Sequence, residues 1–198
     1  MPFWKRKLDP ELEVAKTEAE NALPPGWEIH VVDPESFWVP AGKVVTYGIS
    51  AYSPAGEKAL VVAVGEVNAY RQLTRLMRGE LEKTESWAVP LGPPERKEKN
   101  STGMVWDEEN PEVVAARSAL EAELPSDWSV FFTDREKFRF PDGHIKVFAV
   151  SIAGPAGEGE LVLGLSEAHA YEQMIRRLRG ELETAEGWAP SLESFTQV

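Results

Sequence analysis

LPPGWEIHVVD at 23–33 returns 101 residues later as LPSDWSVFFTD at 124–134, and RGELE occurs unchanged at 78–82 and 179–183. The same offset, without a gap, aligns Pro10 with Pro111, Pro40 with Pro141 and Tyr70 with Tyr171. It also aligns Pro54-Ala55-Gly56-Glu57 with Pro155-Ala156-Gly157-Glu158 and Trp87-Ala88 with Trp188-Ala189. Residues 10–89 against 111–190 give about 32 identities in 80 pairs, a density that marks an internal duplication. Each copy is long enough to form a small domain of its own. The expected division is an arm at 1–8, a first repeat at 9–90, a linker at 91–109, a second repeat at 110–190 and a tail at 191–198. The stretch between the repeats is rich in Pro, Gly and charge, as linkers are.

Within a repeat the punctuation predicts the order α-β-β-β-α. Asp9-Pro10 and Asn110-Pro111 are helix starts, a capping side chain followed by a residue whose missing N–H costs nothing there. Leu12, Ala15, Ala19 and Leu23 follow at helical spacing, and Pro24 stops the run. A strand is expected after Trp27 and Trp128. A second spans 43–52 and 144–153, where Tyr47, Ile49 and Ala51 (Phe148, Val150 and Ile152) alternate inward. Pro-Ala-Gly-Glu turns the chain into a third strand, and Tyr70, Leu73, Met77 and Leu81 stripe the last helix. The fold class is therefore α+β, tandem duplicated α-β-β-β-α domains. Each is a three-stranded antiparallel sheet with two helices on one face.

That order resembles the double-stranded-RNA-binding domain, most closely in the second repeat. Asp142-Gly143-His144 stands where the family has a Gly-Pro-x-His loop. Phe148, Val150 and Ile152 follow its Phe-x-Val-x-Val strand, and Gly164, Ser166 and Ala170 follow its last-helix opening, with Glu167 and Ala168 between them. The resemblance implies the fold over about 70 residues of each repeat. The family's two phosphate-gripping lysines fall on Glu167 and Ala168, and on Glu66 and Val67 in the first repeat. The family's grip on duplex RNA is therefore not implied.

Composition narrows the function. The 198 residues hold 33 acidic and 21 basic groups, a net charge of −12, and no cysteine. Disulfides, thiol catalysis and Cys-based metal sites are excluded. No apolar run reaches the length of a membrane span and no secretory start is visible, so the expected address is cytoplasmic. The acidic balance opposes non-specific binding to polyanions. No phosphate-binding loop, dinucleotide fingerprint, nucleophile elbow or zinc-protease motif occurs. The three histidines, His30, His144 and His169, lack metal-ligand spacing, and no cofactor is expected.

The residues singled out as binding or interface candidates are Trp38, Arg75, Arg78, His144, Val147, Arg176 and Arg179. The arginines share one helix side and read either as an anion stripe or as a lattice in which Arg78 and Arg179 meet Glu82 and Glu183 at i,i+4. Trp87 and Trp188 are expected to fold back onto the core. Trp38 lies between Phe37 and Val39, which read as buried, so it should point outward toward the other repeat or a partner. The sheet face away from the helices should be polar in a lone domain. Here it reads as Val32, Val44, Gly48, Val61 and Ala63 in one repeat and Phe131, Ile145, Val147, Ala149 and Val162 in the other. The expectation is that the two repeats pack sheet on sheet within the chain, with two chains pairing as the fallback. The function expected is a protein-interaction or regulatory module without catalysis. Binding of structured RNA through a local Arg/His patch is one alternative, and an enzyme or small-ligand site between the repeats is another.

Overall fold

The computed structural model describes residues 9–39, 42–84, 86–89, 110–141, 143–156, 159–182, 187–190 and 196–197. The N-terminal arm, the linker and Glu183 lie outside them. The first repeat runs α1 (Pro10–Ala22), β1 (Glu28–Val31), β2 (Glu35–Val39), β3 (Gly42–Tyr52), β4 (Lys58–Val64), α2 (Glu66–Met77), β5 (Lys83–Thr84) and β6 (Ser86–Val89). The second runs α3 (Pro111–Glu123), β7 (Ser129–Phe140), β8 (Gly143–Ala153), β9 (Gly159–Gly164), α4 (Glu167–Leu178) and β10 (Gly187–Pro190), with a short β11 (Thr196–Gln197) after it.

Local chemistry accounts for these limits. The Asp9 and Asn110 carboxylate and amide oxygens accept the backbone N–H of Glu11 and Glu112, each at 3.0 Å, and Pro fills the first helical position. Both helices give way to extended backbone at Leu23 and Leu124, each directly before a proline. The first strand is split into β1 and β2 in one repeat and continuous in the other, with a bulge between Phe132 and Asp134. Pro34 supplies no N–H to a ladder, whereas its counterpart Arg135 stands within β7 opposite Phe148. Gly56, at φ 84°, closes the β3–β4 turn, and the Ser53 hydroxyl accepts from the Glu57 N–H at 2.9 Å.

The α+β class and the repeated α-β-β-β-α unit are as the sequence predicts. The path of the chain beyond the last helix of each unit is not. After α2 the chain crosses to the other repeat, where β6 pairs antiparallel with β9, Trp87 opposite Leu163. After α4 it returns the exchange, and β10 pairs antiparallel with β4, Trp188 opposite Val62. One sheet is thus β1-β3-β4-β10-β5 with β2 also on β3, and the other is β11-β8-β9-β6 with β7 also on β8. Trp87 and Trp188 do not lead back over their own sheets, and their side chains lie outside the described residues. Edge pairing of β4 and β9 outcompetes the return because each presents unpaired backbone N–H and C=O groups, which a passing strand satisfies.

Three apolar clusters fill the layers. Helices α1 and α2 cover Ile49, Ala51, Val61 and Ala63. Helices α3 and α4 cover Val150, Ile152 and Val162. The third cluster joins Val32, Phe37, Leu60 and Val62 of the first repeat to Phe138, Phe140, Ile145, Val147, Ala149, Leu161 and Leu163 of the second. The layer order is helices, sheet, sheet, helices. Gly48 shows how close the sheets come, since a Cβ there would stand 3.0 Å from a Phe138 ring carbon. Three positions face the other way from the sequence reading. Val61, Ala63 and Val162 lie under the helices, and Leu60, Val62, Leu161 and Leu163 take the inter-sheet side. The pairing of Gly48 with Val62 and of Ile49 with Val61 sets this phase, because paired residues share a face and a one-residue slip inverts the strand. Phe131 stays exposed.

Candidate functional site

Each repeat projects a hairpin, β2–β3 or β7–β8, whose inner face enters the inter-sheet cluster through Phe37 in one and Phe138, Phe140, Ile145 and Val147 in the other. Val147 is fully buried there. The pleat sends alternate residues outward. The helix-covered part of these outer faces begins at Tyr47 and Phe148. Before those residues the two hairpins have diverged.

On β2–β3, Trp38 stands opposite Lys43. Trp38 is 68% exposed, and the Lys43 ammonium lies 5.6 Å from the centre of its ring. Its placement is set by its neighbour, since Phe37 is buried and the next residue must face away. On β7–β8 the matching outer face is cationic. Lys137 pairs with Lys146 and Arg139 with His144 across the two strands. Lys137, Arg139 and Lys146 are exposed and His144 is half-buried. Burial, and then the charges of Lys137, Lys146 and Arg139, pull the His144 imidazole below its ordinary pKa. Of these four, sequence reading singles out only His144. The signal for the rest is in the chain: Lys137-x-Arg139 and His144-x-Lys146 repeat at period two on either side of a Pro-Asp-Gly turn.

The helix arginines are used differently. Helices α2 and α4 stop at Met77 and Leu178, so Arg78 and Arg179 are cap residues and Arg78 does not meet Glu82 as an i,i+4 helix pair, while Glu183 lies outside the described residues. Gly79 and Gly180 adopt φ 73° and 75°. The N–H of Glu80 donates to the Arg75 carbonyl at 2.8 Å, and that of Glu181 to the Arg176 carbonyl at 2.9 Å. With Gly79 and Gly180 donating to Leu76 and Arg177, this is a Schellman stop in both repeats. The Arg75 side chain donates to Gln72 Oε1 at 3.0 Å and Arg176 to Gln173 Oε1 at 2.9 Å. Arg179 forms an ion pair with Glu123 of α3 that holds the Glu123 carboxyl below its usual range. Position 22, which corresponds to Glu123, is alanine, so Arg78 has no such partner and stays exposed. Arg71 instead ties α2 to α1 through Glu11 at 2.6 Å.

His169 meets Gln173 Nε2 at 2.7 Å, and His30 sits edge-on to the Tyr52 ring. Among the described residues no group of three or more His, Asp or Glu is placed to hold a metal ion. No described helix is long and apolar enough to cross a membrane. Comparison with family models, with curated proteins and with solved structures gave no match.

Proposed function

We propose that the chain is a cytoplasmic protein-interaction module without catalysis, and that the outer faces of its two hairpins contact the partner. The observation that carries this is Trp38. A large aromatic ring is held in water, on a strand whose other face is locked into the inter-sheet core. A rigid exposed indole has little ordering entropy to lose on binding, and tryptophan is enriched among the few residues that dominate interface energies. The dsRNA-binding-domain resemblance supplies a second reading, contact with structured RNA through His144 and its cationic neighbours. The net charge of each repeat, −5 for 10–89 and −6 for 111–190, weighs against it.

The test is capture from the native host's lysate on the parent and on Trp38→Ala in parallel. A partner retained by the parent should bind the variant at least about 30-fold more weakly, the effect of losing a hot-spot side chain. The variant should melt with the parent, because the indole is exposed. An identical set of proteins on both, or none on either, overturns the reading.

A further inference from the structure

The described arginines of the helices are mostly neutralised by carboxylates: Arg71 by Glu11, Arg117 by Glu121, Arg177 by Glu160 and Arg179 by Glu123. The outer face of β7–β8 is not. In a chain with an excess of twelve negative charges, no described ion pair involves Lys137, Arg139, His144 or Lys146, the side chains of Asp134, Glu136 and Asp142 lying outside the described ones. Moreover, the register sets Lys137 directly across from Lys146 and Arg139 directly across from His144. Lys137 and Lys146 are like charges, and like charges opposite one another destabilise a strand pair, while Arg139 faces an imidazole whose protonation its cationic neighbours disfavour. The first repeat, with Ser36, Trp38, Lys43 and Val45 at the corresponding positions, has no such repulsion. The second repeat therefore carries an arrangement that opposes its own folding and that an anion would relieve.

We infer that the outer face of the β7–β8 hairpin docks an extended, carboxylate-rich segment of a protein partner. This deepens the interaction reading above and rests on it. The spacing selects this class of ligand. The Lys137–Lys146 pair and the Arg139–His144 pair lie two residues apart along the strands, about 7 Å at the rise of a β-strand. Side chains two apart on an extended peptide repeat at that same distance and on the same side. A segment with Asp or Glu at alternate positions thus sets one carboxylate over Lys137 and Lys146 and the next over Arg139 and His144. The surface is made of side chains on the paired strands β7 and β8, with β11 setting Thr196 opposite His144, rather than of converging backbone N–H groups, so it does not form a nest for a single compact phosphate. A long phosphate backbone would run past the two pairs over a surface whose net charge repels it, whereas a short acidic segment ends where the cations end.

The experiment uses the full chain and tracks the His144 ring signals by NMR. The added ligands are a synthetic peptide with glutamates at alternate positions, inorganic phosphate, and a generic RNA duplex. The peptide should move the His144 signals saturably, and the binding should weaken several-fold between about 0.05 M and about 0.5 M salt, where screening shortens from beyond 10 Å to a few ångströms. Lys146→Glu should weaken the peptide at least about tenfold, since it sets a like charge against the ligand. Lys83→Glu, the same charge change on the edge of the other sheet, should leave the affinity within about twofold of the parent. Both positions are exposed, and unchanged melting of the variants confirms that binding alone is read. No movement of His144 with peptide at millimolar concentration overturns the inference, as does equal weakening by Lys83→Glu. Tighter binding of the duplex or of phosphate than of the peptide overturns it too, and assigns the face to that ligand. If the peptide fails while Trp38→Ala still abolishes capture, the interaction reading stands and only the acidic ligand is wrong.

Discussion

Tyr70 and Tyr171 occupy matching positions in α2 and α4, buried against the first helix of their repeat. Burial, and next the nearby carboxylates of Glu66 and of Glu167, push both phenols up to about 12. A raised phenol pKa means that the folded state holds its proton after the unfolded chain has released it. Below about pH 10 both states are protonated and these two residues contribute no pH dependence. Between about pH 10 and 12 the unfolded chain ionises first, so stability should fall as pH rises. The denaturation midpoint measured across that range should drop for the parent and drop less for the Tyr70→Phe/Tyr171→Phe double variant. A variant that tracks the parent would show that other groups govern the alkaline limit.

The longest unbroken identity between the repeats is a helix ending. RGELE reads from composition as a charged lattice, yet its shared work is geometric: Gly79 and Gly180 take a left-handed turn that lets the next N–H reach back to the helix. Among the described residues, no atom beyond the chain neighbours stands within 4 Å of a Cβ built on Gly180, so the cost of alanine there is set by backbone strain. Gly180→Ala should lower the unfolding free energy by about 1–2 kcal/mol, read from chemical denaturation with an unchanged slope. The stop also decides where the chain goes next. It releases the segment after each helix at the edge of the sheets, where β6 and β10 cross to opposite repeats.

At the scale of the molecule the two repeats are joined by a shared apolar layer and by an exchanged strand in each direction. Val147 stands within that layer with no exposed surface. Val147→Asp places an unpaired carboxylate between the sheets, and the expected loss is about 3–5 kcal/mol, the range for an uncompensated buried charge. Thermal melting and size in solution check it. A variant that melts with the parent and keeps its size would show that the sheets do not depend on each other.

The duplication, the helix starts at Asp9 and Asn110, the hairpin at Pro54–Glu57 and the outward turn of Trp38 are all legible in the sequence. Each is fixed by residues within a few positions of one another: a capping oxygen, a proline, a glycine with positive φ, or a period of two. The phase of β4 and β9, the destination of β6 and β10 and the partner of Arg179 are not legible. They depend on which distant strand or helix lies alongside, and neither propensity nor periodicity carries that information. The cationic face of β7–β8 stands between the two cases. Its residues alternate visibly, but only the cross-strand register sets Lys137 against Lys146 and Arg139 against His144, and turns three scattered charges and an imidazole into one surface.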